Sequence, residues 1–177
     1  MNLVLIGYRG TGKSVVAEIL SRELGMAAVS LDREIVREAG MPIPEIVEKH
    51  GWPWFRALES EIVERFARRQ RAILDTGGGV ILRPENTENL RQGGALFWLK
   101  ASVEVIVERI QQSTERPSLT EGRSFLEEVE EVLAERLPLY RAAADREVDT
   151  DALTPEGVAE EIAREFRALA AERGDPA

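Results

Sequence analysis

This sequence predicts an α/β fold, a parallel sheet wound with helices on both faces into a three-layer sandwich, on three observations. Short apolar runs alternate with stretches of helical spacing, the first run leads straight into a Gly-x-x-x-x-Gly-Lys-Ser loop, and a triple glycine follows the third run. Strands buried under helices on both sides read as unbroken apolar runs, and in such sheets the ligand sits at the carboxyl ends of the strands.

The first strand is read at 2–6, where Leu3-Val4-Leu5-Ile6 precedes the loop Gly7-Tyr8-Arg9-Gly10-Thr11-Gly12-Lys13-Ser14. Val15, Val16, Ile19 and Leu20 follow at helical spacing. Glycines let such a loop curl so that successive N–H groups face a β-phosphate, and the helix starting near Gly12 turns its positive end to the same anion. Lys13 would bridge the β- and γ-phosphates and Ser14 would ligate Mg²⁺, so ATP or GTP is the implied ligand, with Gly10, Thr11, Gly12, Lys13, Ser14 and Val15 around it.

Further strands are read at 26–30, 71–75, 94–99 and, more weakly, 146–149, giving four or five in all. Residues 33–60 interrupt the alternation with short helical pieces broken by Pro42, Pro44 and Gly51, then Trp52, Trp54 and Phe55. They read as an insertion over the crevice, in which the tryptophans are expected to pack. The polar stretch 112–124 reads as a lid or a plain connector. A last helix covers about 155–171, and the polar tail after it is expected to fray.

A chain of 177 residues suits one domain, 1–177. Twenty-three basic against thirty-two acidic residues give a net charge of −9, which disfavours nucleic acid or an anionic membrane as partner. Without cysteine, and with His50 as its one histidine, the chain cannot build a thiolate metal site, and a histidine-based triad is disfavoured. No basic leader or membrane-length apolar run is present, so the expectation is a cytoplasmic protein, a monomer acting on small molecules.

Charged residues at strand ends must choose the acceptor. Asp32, after Val29-Ser30-Leu31, can align or deprotonate a hydroxyl, or merely cap the helix that follows. Arg56 and Glu59, three apart on a helix, can form a carboxylate clamp whose glutamate orients the guanidinium; a solvated surface pair has the same spacing. Gly77-Gly78-Gly79 leaves backbone bare where something approaches closely, or makes a turn with positive φ. Arg136, in Glu135-Arg136-Leu137-Pro138-Leu139-Tyr140, and Arg116-Pro117 would add a local positive well if they converge there.

Taken in order, the phosphate loop, Asp32 with Ile35, Phe55-Arg56 with Glu59, Gly77-Gly78-Gly79, Arg116-Pro117 and Arg136-Leu137-Pro138-Leu139-Tyr140 resemble the shikimate kinase family over nearly the whole chain. The resemblance implies a nucleoside-monophosphate-kinase-like P-loop fold with a five-stranded parallel core, a shikimate-binding insertion and a mobile lid. It implies transfer of a phosphoryl group from ATP to the 3-hydroxyl of shikimate, a step of aromatic amino-acid synthesis. Asp32 would contact the acceptor hydroxyl, Arg56, Gly78 and Arg136 would hold shikimate, Arg116 would close on the transferring phosphate, and Arg109 would lie near adenine. Gluconate kinase, or a weakly catalytic nucleotide-binding regulatory module, are the alternatives. One position departs from the family: an aspartate usual two residues before Asp32, on the metal side, is Ser30 here. Asp75 stands at the end of the third run, where the family often has a small hydroxyl residue. The expectation is that the two have exchanged places and that Asp75 joins Ser14 at the metal; the other reading is that Asp75 caps the turn at Gly77.

Overall fold

The computed structural model describes residues 1–112 and 125–175. Its strands are β1 (Asn2–Ile6), β2 (Ala27–Ser30), β3 (Ala72–Asp75), β4 (Gly94–Lys100) and β5 (Arg146–Asp149). Each lies within a residue of its predicted span. They form one parallel sheet in the order β2-β3-β1-β4-β5.

The three central strands are buried along nearly their whole length, because helices cover both of their faces, whereas the edge strands β2 and β5 are partly exposed. Side chains alternate between those faces. Leu3, Leu5, Ile73 and Phe97 pack with Val16 and Leu20 of α1 (Lys13–Leu24) and Ile162 and Phe166 of α7 (Pro155–Glu172). Val4, Ile6, Leu74 and Trp98 pack on the other face with Ile62 and Phe66 of α3 (Ile43–Ala67), Leu90 of α4 (Pro84–Gly93) and Tyr140 of α6 (Phe125–Ala143). The remaining helices are α2 (Leu31–Ala39) and α5 (Val103–Gln112).

After β1 the chain moves to the edge strand β2 and returns through β3, and β4 and β5 then extend the sheet on the other side of β1. This reversal opens a crevice at the carboxyl end of β1, where the phosphate loop begins. The expected insertion is α2 and the first part of α3, which breaks at Gly51 (φ 81°, ψ 166°) with Pro53 just beyond. The second part runs past residue 60 to Ala67, since Ile62, Val63 and Phe66 bury against the sheet. The predicted lid, apart from Gln112 at the end of α5, lies outside the described residues.

The amino end is tied in by Asn2, fully buried at the start of β1. Its Nδ2 donates to the carbonyls of Ala67 (3.1 Å) and Arg69 (2.7 Å), and its Oδ1 accepts from the amide of Ala72 (3.0 Å). One side chain thus satisfies three backbone groups between α3 and β3. The expected fraying of the tail is corrected as far as Asp175. That residue's carboxylate meets the amino terminus at 2.5 Å, and Arg173 binds the Gly94 carbonyl (3.1 Å) and Asp145 (2.9 Å). Among the described residues no helix is long and apolar enough to cross a membrane.

Asn2→Leu keeps the branching at Cγ but strands the three backbone groups. Unfolding free energy should fall by about 2–4 kcal/mol, seen as a drop in Tm of roughly 5–15 °C. An unchanged melting curve would contradict the clasp.

Candidate active site

The phosphate loop takes its shape from three glycines with positive φ: Gly7 (145°), Gly10 (82°) and Gly12 (89°). At Gly7 there is also no room, since a Cβ would stand 2.6 Å from the Leu99 carbonyl oxygen. Thr11 donates its hydroxyl to the Tyr8 carbonyl (2.8 Å), which tightens the turn. Gly12 is the N-cap of α1 and offers no side chain to its first amides, so they are open to an anion. Lys13 is buried, and its Nζ donates to the carbonyls of Gly7 (2.8 Å) and Tyr8 (2.9 Å). Burial pulls its pKa below the usual lysine value, while the nearby charges of Asp75 and Asp32 work the other way.

Strand register brings the predicted residues of β2 and β3 together, with Asp75 paired to Leu5 on one side and to Ser30 on the other. Thr76 donates its hydroxyl to the Leu5 carbonyl (2.8 Å) and holds the end of β3 to β1. Asp75 Oδ2 accepts from the Ser14 hydroxyl at 2.6 Å, so it faces the phosphate loop rather than capping the turn at Gly77. Burial raises the Asp75 pKa, against the Ser14 hydrogen bond and the charges of Lys13 and Arg33. The cap of α2 is Ser30, whose Oγ accepts from the Arg33 amide (3.4 Å), and this displaces the alternative that Asp32 caps that helix.

Asp32 instead sits in the first turn of α2 with its carboxylate against Gly77. A Cβ on Gly77 would stand 2.7 Å from Asp32 Oδ1 and 3.2 Å from Glu59 Oε1, and one on Gly79 would collide with the Arg56 guanidinium. None of the three glycines has positive φ, which corrects the turn alternative: side chains of this chain fill the space at Gly77 and Gly79, and at Gly78 a Cβ would stand 3.4 Å from the Arg9 amide nitrogen and 3.5 Å from the Gly7 carbonyl oxygen. Arg56 Nη1 and Glu59 Oε2 pair at 2.6 Å, with side chains 16% and 2% exposed, which rules out a solvated surface pair. Burial raises the Glu59 pKa, and Arg56 opposes it. On the other side of the turn, Arg136 Nη1 (3.2 Å) and the Tyr140 hydroxyl (2.5 Å) both donate to the Gly78 carbonyl. Tyr140 holds its proton far up the pH scale because it is buried.

The tryptophans do not pack as expected. Trp52 is 56% exposed, with the Arg56 guanidinium over its ring (5.3 Å) and Phe55 edge-on (5.6 Å). Trp54 is also exposed and stacks on His50 at 4.5 Å.

A cleft of about 680 Å³ runs from Asp32, Gly77 and Gly78 along the phosphate loop, Val15 included, to Arg109, Thr150 and Pro155. Arg109 donates to the Thr150 hydroxyl (3.0 Å) and carbonyl (2.9 Å), and Thr150 in turn binds the Lys100 carbonyl (2.9 Å). Sequence reasoning missed Thr150, although its place just after β5 puts it at the same sheet edge as the other ligand-facing residues. It also passed over Arg9, whose guanidinium lies over the rings of Tyr8 (5.8 Å) and Phe125 (5.5 Å). Arg116 lies outside the described residues.

A nucleotide-sized cleft that shares a glycine turn with a pair of arginines suits a small-molecule kinase, and comparison with known proteins gives its family. The shikimate kinase family model matches residues 9–167. This chain belongs to the shikimate kinase family. It is 43% identical over 168 residues to the shikimate kinase of Thermodesulfovibrio yellowstonii, covering 95% of this chain and 96% of that one. It is 41% identical over 161 residues to the shikimate kinase of Geobacter metallireducens, covering 91% and 89%. Among solved structures, the shikimate kinase of Acinetobacter baumannii in complex with shikimate superposes with a TM-score of 0.87 at 31% identity, over 97% of this chain and 94% of that one. As a shikimate kinase family member the chain is a phosphotransferase with ATP as co-substrate, and neither a gluconate kinase nor a regulatory module is favoured.

Gly79→Ala drives a methyl group into the space of Arg56, so KM for the acid acceptor in steady-state kinetics should rise about tenfold or more while KM for ATP stays within about twofold. Equal losses for both substrates would contradict the local clash. A second expectation concerns pH. Asp75 is a carboxyl whose pKa burial raises, so between the ordinary and the raised value the fold holds a proton that the unfolded chain has lost. Its contribution to stability is therefore full at acid pH and is lost as pH rises through that window. Asp75→Asn removes this contribution, so as pH rises above the ordinary carboxylate range Tm of the ligand-free variant should fall less than that of the native chain. Parallel falls would contradict the assignment.

Proposed function

We propose that the chain transfers the γ-phosphoryl group of ATP to the 3-hydroxyl of shikimate, giving shikimate 3-phosphate and ADP. One observation carries this reading: the Gly77–Gly79 turn is a wall common to the phosphate-loop cleft and to the Arg56–Glu59 pair and Arg136. A donor phosphate and a carboxylated acceptor bound on either side of that wall would meet at Asp32.

On ATP binding, Lys13 exchanges the carbonyls of Gly7 and Tyr8 for phosphate oxygens, and the loop amides with the first turn of α1 take the rest of the charge. Phosphoryl transfer has a loose transition state, so placement and charge neutralisation supply most of the acceleration. Asp32 holds the acceptor hydroxyl in line and receives its proton. Arg56, oriented by Glu59, and Arg136 grip the acceptor carboxylate, Gly77 to Gly79 form the wall it lies beside, and Arg109 flanks the base. Arg116 is kept, on the family resemblance, as a further cation for the transferring phosphate.

The Ser14 hydroxyl and the Asp75 carboxylate are hard oxygen donors 2.6 Å apart beside the loop, a set that fits Mg²⁺. Ser14 and Asp75 would hold that ion, which would supply positive charge to the phosphate groups. The same reading takes the chain as a single domain working as a monomer in the cytoplasm. Its net charge of −9 disfavours nucleic acid and anionic membranes as partners.

An assay of ADP release tests this. Shikimate should raise the rate far above that with ATP alone, gluconate should not, and Lys13→Ala should lower kcat by on the order of 10²–10³. ADP formation indifferent to shikimate would overturn the proposal.

A further inference from the structure

We infer that Asp75 is the protein carboxylate of the metal site, shared with Ser14, and that its strand neighbour Ser30 takes no part in it. The inference rests on the nucleotide reading given above. In phosphate-loop enzymes of the GTPase and ATPase kind, the cation is held by the loop serine or threonine together with an aspartate from elsewhere in the fold. The geometry here supplies such an aspartate. Asp75 ends β3, the strand hydrogen-bonded to β1, and β1 leads directly into the loop. The Ser14 hydroxyl already points at it, 2.6 Å away.

Its surroundings suit a cation ligand. Asp75 is 7% exposed, and among the described residues its side chain receives one hydrogen bond, from a neutral hydroxyl. Lys13 is close enough to act on it through its charge, but its ammonium is hydrogen-bonded to the carbonyls of Gly7 and Tyr8. A buried carboxylate without a directly bonded cation is costly, and a divalent ion at the cleft side removes that cost. The two other polar side chains at this sheet edge have different work. Ser30 caps α2, and the carboxylate of Asp32 lies against Gly77 beside Glu59, on the acceptor side. Metal and acceptor carboxylates therefore stand on separate segments, one on β3 and one on α2, and can be removed independently.

Mn²⁺ binding in the presence of ADP, followed by the electron paramagnetic resonance signal of the free ion, tests this without turnover. Asp75→Asn should weaken Mn²⁺ binding about tenfold or more. Ser30→Ala should leave it within about twofold, and both variants should still bind ADP measurably in EDTA. Intact metal-free ADP binding shows that a variant is folded. Should Asp75→Asn not fold, Asp75→Ser serves with the same expectation. Native Mn²⁺ affinity in the Asp75 variant, or an equal loss in Ser30→Ala, would overturn the inference while leaving the nucleotide site standing. A native chain that bound ADP neither with metal nor in EDTA would overturn the nucleotide reading itself.

Discussion

A buried ammonium has to be compensated, and at the carboxyl edge of this sheet the compensation of Lys13 organises its neighbours. Two loop carbonyls take its hydrogen bonds, and the carboxylates of Asp75 and Asp32 offset the loss of water. Those partners come from the ends of three segments, β1, β3 and α2, so the arrangement exists only when the sheet has brought them into register. The glycines of the loop, the threonine that ties β3 to β1 and the buried asparagine at the start of β1 all hold that register. Binding energy is thereby prepared: a phosphate that displaces the carbonyls from Lys13 meets a cation already desolvated and fixed.

The Gly77–Gly79 turn divides the site into two kinds of construction. On its nucleotide side the groups are backbone amides, one lysine and short oxygen donors at strand ends, placed by the sheet. On the proposed acceptor side they are long side chains from helices: Glu59 and Arg56 of α3 take the space left at Gly77 and Gly79, and Arg136 of α6 binds the Gly78 carbonyl. Strand ends give precision to the part that handles phosphate. Helices give reach to the part proposed to take the acid alcohol. This is how a chain of net charge −9 keeps a cationic pocket for two anionic substrates.

Much of this was legible in the sequence where local pattern decides. Apolar runs located β1, β3 and β4, since a strand covered on both faces has almost no alternative composition, and they marked the partly exposed edge strand β5 only weakly. The phosphate loop was legible because its spacing is the mechanism. Sequence left a choice open, or pointed the wrong way, where two local roles share one composition. Asp32 and Ser30 are both good helix caps, and only the start of α2 assigns the cap to Ser30. Tryptophans near Phe55 look like core, but the break at Gly51 leaves them at the surface, with Trp52 against Arg56.

The sequence by itself determined the order of the elements, the phosphate loop and the residue types available for chemistry, because these follow from spacing and from the properties of single side chains. Tertiary structure decided which of those side chains meet. The pairing of β2 with β3 sets Ser30 beside Asp75, the packing of α3 on the sheet buries Glu59 and aims Arg56 at Gly79, and the return of α6 brings Arg136 and Tyr140 to Gly78. Such contacts join residues dozens of positions apart. Their distances depend on how whole layers pack, which no local window of sequence contains.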